Sequence, residues 1–137
     1  MPIALEAASG ERNAFRINGT DYDTPDGTCV RDYVHVADLA DAHVRALRYL
    51  LGDGEPITLN VGTGRGTSIA TLLEAVERVT GRTVPREIAP RREGDAATLV
   101  ADSTRIRELL DWVPRHDLED IVRTAWNWHR TRTRKVA

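Results

Sequence analysis

Apolar positions along this chain of 137 residues switch between a period near 3.6 and a period of 2, and the switches lay out the elements. Residues 3–9 carry a short helix-like apolar run that Gly10 ends. Ala14, Phe15, Arg16 and Ile17 alternate as a strand does. Residues 18–29 are polar and contain Thr24-Pro25-Asp26-Gly27, a turn in which proline presets φ and glycine accepts a positive one. Alternation returns over residues 30–36, with Val30, Val34 and Val36 on one face and Arg31, Tyr33 and His35 on the other.

A helix is expected over residues 38–51, with Asp38 as its N-cap and Asp41 favouring its start. It carries two apolar ladders, Ala40-Val44-Leu47-Leu51 and Leu39-Ala46-Leu50, the second with His43 as a packed core residue. So wide an apolar surface implies packing on more than one side. Residues 57–61 read as a buried strand that leads into the glycine-rich stretch 62–66. Thr67 or Ser68 then caps a helix bearing Ile69, Leu72, Leu73, Val76 and Val79, which Gly81 ends. Residues 84–88 predict a second strand and residues 98–101 a short extended piece. Asp102 or Ser103 caps a helix to about Leu110, which Trp112-Val113-Pro114 breaks. Asp117 caps a last helix with Leu118, Ile121, Val122, Ala125 and Trp126 inward, fraying over residues 131–134. Short strands alternating with about four helices make an α/β fold, with no internal repeat.

Composition narrows the function classes. The net charge of −2 gives no general attraction to nucleic acid or to an anionic membrane. No apolar run approaches the roughly 18–20 residues of a membrane span. A single cysteine, Cys29, rules out an internal disulfide framework and fits a cytoplasmic location. The chain opens on Met1-Pro2-Ile3-Ala4-Leu5, which reads as the middle of a helix and raises the expectation that sequence upstream is missing.

Two polar islands stand out, Val30-Arg31-Asp32-Tyr33 and Ala89-Pro90-Arg91-Arg92-Glu93-Gly94-Asp95. Two arginines aimed at one point make an anion site, and their planar donors suit a diphosphate better than lysine would. A carboxylate at Asp95 could accept two ribose hydroxyls beside it. The stretch Gly62-Thr63-Gly64-Arg65-Gly66 is a weak match to a dinucleotide fingerprint, because Thr67 stands where the third glycine belongs. The histidines show no metal-ligand spacing, and Cys29 has no histidine partner to make it catalytic.

Taken together, several stretches resemble the C-terminal part of the bacterial UDP-glucose 4-epimerases, members of the extended short-chain dehydrogenase/reductases. The matching runs begin with Asn18-Gly19-Thr20-Asp21-Tyr22-Asp23-Thr24-Pro25-Asp26-Gly27-Thr28-Cys29-Val30-Arg31-Asp32-Tyr33-Val34-His35-Val36 and Asp38-Leu39-Ala40-Asp41-Ala42-His43. Asn60-Val61-Gly62-Thr63-Gly64, Ala89-Pro90-Arg91-Arg92-Glu93-Gly94-Asp95, Trp112-Val113-Pro114 and Trp126-Asn127-Trp128 continue the match over essentially the whole chain. The resemblance implies a single unit over residues 1–137, the UDP-sugar-binding portion without the N-terminal Rossmann domain. It implies that Arg31 and Arg92 clamp the diphosphate, that Asp95 binds ribose and that Arg16, Ile17 and Asn18 lie along the uridine. Leu99 stands where the family tunes room for the sugar and usually carries tyrosine or cysteine, so the hexose stays open.

In the family, NAD takes a hydride from C4 of the hexose and returns it to the other face, interconverting UDP-glucose and UDP-galactose. That chemistry uses a glycine fingerprint and a Tyr-x-x-x-Lys pair. Here Tyr22, Tyr33 and Tyr49 are followed four residues on by Asp26, Ala37 and Asp53, and the only lysine, Lys135, has Thr131 four before it. The expectation is therefore a chain without catalytic residues that binds no NAD alone. Two alternatives stay open: a stand-alone nucleotide-sugar-binding module or pseudoenzyme, and a fragment of another NAD-dependent nucleotide-sugar epimerase or dehydratase. The double-ladder helix leads to an expectation of self-association through the face that the missing domain would cover.

Overall fold

The computed structural model describes residues 1–134, so Lys135 lies outside the described residues. Five helices and five short strands are present among them, each helix at a stretch where the apolar pattern is helical. In order they are α1 (Pro2–Ser9), β1 (Phe15–Asn18), β2 (Val30–Arg31), α2 (Val36–Leu51), β3 (Thr67–Ser68), α3 (Ile69–Thr80), β4 (Arg86–Ala89), β5 (Thr98–Leu99), α4 (Thr104–Leu110) and α5 (Leu118–Arg134).

Two apolar clusters hold these elements. In the larger, Leu72, Leu73 and Val76 of α3 meet Ala4 and Leu5 of α1, Val122 and Trp126 of α5, and Ile17 of β1. The i, i+3, i+4 spacing puts these α3 residues on one stripe. Ser68 caps the helix by accepting from Thr71 N at 3.1 Å, and Gly81 closes it in the left-handed region at φ 67°. In the smaller cluster Trp112, fully buried, packs with Ala42, Ile106 and Leu110. At α5, Asp117 and Asp120 bond each other's backbone N–H in a reciprocal cap. The helix then continues through Arg134 instead of fraying at residue 131.

The strands form two small sheets. β1 and β4 run parallel, with Phe15 opposite Arg86 and Asn18 opposite Ala89. The second sheet has the order β3-β2-β5, antiparallel on one side and parallel on the other.

The structure corrects several expectations. The strand expected over residues 30–36 ends at Arg31, and α2 already begins at Val36. His35 is its N-cap, with Nδ1 accepting from Ala37 N at 3.0 Å. Asp38 is therefore inside the first turn, and its carboxylate faces away from its own helix end. It accepts from Arg115 N and His116 N at 3.1 Å each and pairs with His116 Nδ1 at 2.8 Å. The Asp38 carbonyl takes the Trp112 indole N–H at 2.9 Å. Donors from a distant loop satisfy the acid, so it is not needed as a cap.

Residues 57–61 alternate in burial as a strand would, but pair with no other strand among the described residues. His43 is exposed and not in the core, with Nδ1 within 2.7 Å of the Leu39 carbonyl. Of the α2 apolar positions only Ala42 is buried, while Val36, Leu47 and Leu51 are 74%, 57% and 78% exposed. Both departures share a cause: nothing in the described chain covers this side of α2.

Candidate nucleotide-binding site

The site is assembled by two strand pairs that end near one another. β1 and β4 deliver their following loops side by side, and Gly19 N donates to Ala89 O at 2.8 Å. Gly19 has φ 87°, and a Cβ there would lie 2.6 Å from the Tyr22 ring and 2.7 Å from Arg91 Cγ. Only glycine lets these two loops touch. In the other sheet Val30 N donates to Ala97 O at 2.8 Å, and Arg31 Nη1 reaches Ala96 O at 2.8 Å. Arg31 is thereby anchored to the segment that follows Asp95.

The result is a cavity of about 210 Å³ lined by Phe15, Arg16, Ile17, Asn18, Gly19, Cys29, Arg31, Ile69, Arg92 and Asp95. Six of the seven residues singled out from sequence stand in this one wall. Leu99 does not. It pairs with Arg31 across the β2–β5 ladder and is 64% exposed outside the cavity. Phe15, Gly19, Cys29 and Ile69 were missed. Periodicity places Phe15 and Ile69 on their elements but does not show that α3 starts beside β2, where Ile69 N donates to Cys29 O at 3.0 Å.

The electrostatics separate the two adjacent arginines. Arg91 bonds the Asp21 carboxylate at 2.8 Å and its backbone oxygen, and stacks 4.4 Å over the Tyr22 ring. It is committed to holding the two loops together. Arg92 stands at the cavity and bonds Asp95 Oδ1 at 2.7 Å. That hydrogen bond, followed by the charges of Arg92 and Arg31, holds the Asp95 carboxyl below the usual carboxylate range despite some desolvation. Asp95 thus stays ionised, as an acceptor of hydroxyls must.

The glycine-rich loop is locked from below by Asp32. Its carboxylate accepts from Thr63 N at 2.9 Å, Thr63 Oγ1 at 2.5 Å, Gly64 N at 3.0 Å and Ala101 N at 3.3 Å. Burial raises the Asp32 pKa, but these bonds outweigh it and the net effect is lowered. A Cβ at Gly62 would overlap Ala101 and Asp32, and one at Gly66 would overlap Val30. The glycines are there for packing. With the N–H groups of Thr63, Gly64 and Arg65 taken, the loop does not fit the diphosphate of NAD. The N-terminus of α3 is likewise occupied, since Ser68 Oγ donates to the Asp26 carboxylate, which Thr28 N and Oγ1 also bond. No cluster able to hold a metal ion occurs among the described residues.

A family model described as GDP-mannose 4,6 dehydratase matches residues 1–125. The chain belongs to that family. It is 55% identical over 129 residues to a UDP-glucose 4-epimerase of Rhizobium leguminosarum bv. trifolii, with 94% of this chain and 39% of the relative covered. Over 137 residues it is 51% identical to one from Azospirillum brasilense, covering 99% of this chain and 39% of the relative. Among solved structures, a Stenotrophomonas maltophila UDP-glucose-4-epimerase with bound NAD and formylated UDP-arabinopyranose superposes with a TM-score of 0.95 at 46% identity, covering 98% and 40%. One from Bifidobacterium longum in complex with NAD+ and UDP gives 0.90 at 38% identity, covering 96% and 39%. The chain thus spans about two fifths of the length of the relatives it matches. The expected fold class, the C-terminal portion of an extended short-chain dehydrogenase/reductase, stands.

Proposed function

We propose that this chain holds the uridine diphosphate part of a UDP-sugar. Arg31 and Arg92 would grip the diphosphate, Asp95 the ribose, and residues 16–18 would lie along the uracil. One observation carries the reading: Arg31, distant in sequence from Arg92 and Asp95, meets them beside β1 in one cavity. At about 210 Å³ it has room for the nucleoside end of the ligand, and the sugar would lie outside it, toward Leu99. Relatives solved with UDP and with a UDP-sugar support the choice of nucleotide. The test is calorimetric titration of UDP into the chain and into Arg92→Ala. The expected loss of affinity is roughly ten- to a hundred-fold, the scale of one hydrogen bond to a charged group. Equal affinity for both proteins would refute the assignment.

The same reading assigns the chain to a UDP-glucose 4-epimerase whose chemistry needs groups this sequence lacks, a Tyr-x-x-x-Lys pair and a glycine fingerprint. NAD supplies hydride transfer in such enzymes, and on this reading it does not bind the chain alone. The purified chain should therefore not convert UDP-galactose to UDP-glucose when NAD is added, and turnover would contradict the proposal. The exposure of Leu99 beside Arg31 favours a second possibility for the sugar, that a bulkier or different hexose is accepted. Comparing UDP-glucose with UDP-N-acetylglucosamine in the same calorimeter decides between them.

A further inference from the structure

Without a ligand, the cation and the acid of the nucleotide grip are bonded to each other. Arg92 and Asp95 are the two ends of one turn, in which Asp95 N donates to Arg92 O at 3.2 Å and Gly94 takes a positive φ of 82°. The turn sets their side chains next to one another, and Arg92 Nη2 closes on Asp95 Oδ1 at 2.7 Å. The Asp95 side chain is 16% exposed and that of Arg92 71%, so the carboxylate is sheltered while the guanidinium faces solvent. Arg31 differs. Its Nη1 donates to two neutral carbonyls, Val30 O and Ala96 O, and it forms no salt bridge among the described residues.

The unliganded grip is therefore two cations and one acid, and the acid balances the charge of the cation that reaches into solvent. A bare phosphate approaching Arg92 must share the guanidinium with a carboxylate, and like charges at one site oppose each other. A ligand that carries ribose meets a different situation. Its two vicinal hydroxyls are donors, and an ionised carboxylate is an acceptor through both of its oxygens. Once they occupy Asp95, the planar donors of Arg92 are left for the diphosphate.

We propose that Asp95 is a specificity residue, which keeps the grip closed to phosphate anions without a nucleoside and releases Arg92 when ribose arrives. This rests on the reading of the cavity given above and adds a discrimination to it. Nucleoside diphosphates and their sugar esters enter; inorganic phosphates and phosphate esters without ribose are held off. Only a change of side-chain partners is required, and the turn itself stays as it is. Because the Arg92–Asp95 pair is largely open to solvent, the discrimination is modest in size, of the order that exposed ion pairs provide.

The test titrates inorganic pyrophosphate and UDP calorimetrically, at constant ionic strength, into the chain and into Asp95→Asn. Pyrophosphate should bind Asp95→Asn about three- to ten-fold more tightly than it binds the chain, the scale of an exposed ion pair. The preference for UDP over pyrophosphate should fall at least about ten-fold, since the ribose contact is weakened at the same time. Glu93→Gln removes the same charge from the same turn at a position outside the cavity lining, and should leave pyrophosphate binding unchanged. Adding Arg92→Ala to Asp95→Asn should remove most of the gain. Pyrophosphate that binds Asp95→Asn no better than the unaltered chain, or not at all, would overturn the proposal. An equal gain in Glu93→Gln would overturn it too, as the signature of general charge, and so would an unchanged preference for UDP. Failure of the nucleotide reading is a separate result: UDP then binds the chain and Arg92→Ala equally, and the proposal falls with that reading.

Discussion

At the scale of single residues, two aspartates organise more of this molecule than any arginine does. Asp38 collects two backbone N–H groups and the His116 ring from the segment after Trp112. Removing it in Asp38→Ala leaves those donors facing a cavity, and a loss of about 3 kcal/mol of unfolding free energy is expected by urea denaturation. Asp32→Asn should cost about 2 kcal/mol, since an amide can accept only part of what the four donors around Asp32 offer. The roles of these acids were poorly legible in sequence. Asp38 has the residue type and position of a helix cap, and only the long-range return of residues 115–116 shows otherwise. Arg31, Arg92 and Asp95 were easier to pick out, because an arginine beside a carboxylate in a loop has few structural uses. Arg91 shows the limit of that rule, since its identical chemistry is consumed by Asp21 and the Tyr22 ring.

At the scale of elements, the helices were the most legible, because their apolar stripes and end residues agree. α3 has both a serine cap and a left-handed terminal glycine. Ser68→Ala should cost about 1 kcal/mol or slightly more, measured as a shift in urea midpoint, because Ser68 also donates to Asp26. Two-residue strands such as β2, β3 and β5 carry almost no period to read, and their partners are distant in sequence. Residues 57–61 failed in the opposite way: the pattern is that of a strand, but no described strand lies beside it to complete a ladder. α2 belongs with that segment. Its exposed Leu47, Leu50 and Val44 make an apolar face beside the groove over residues 56–61. Such a face favours association in water. Light scattering should show the chain larger than a monomer, and the double substitution Leu47→Glu with Leu50→Glu should shift it toward monomer. A monodisperse, cooperatively melting wild-type monomer would count against this.

At the scale of the whole molecule, acid should loosen several joints together. Asp26, Asp32 and Asp38 each have a folded pKa lowered below the free value, in each case because hydrogen bonds outweigh burial. A lowered folded pKa contributes stability that is complete above the unfolded value of about 3.9 and is lost as pH falls through the folded one. The thermal midpoint should therefore be level above about pH 5 and fall steeply below about pH 4. Asp38→Asn should flatten part of that fall, and a midpoint indifferent to pH 3 would contradict the assignment of these joints. The central claim concerns the cavity between the two sheets. It is tested most directly by a crystal structure of the chain grown with UDP. The expected result is a diphosphate bridging Arg31 and Arg92, with ribose hydroxyls on Asp95 and the uracil along residues 16–18. A diphosphate found instead in the larger hollow of about 750 Å³ beside Arg65, Arg107 and Arg115, with Arg92 still paired to Asp95, would contradict it.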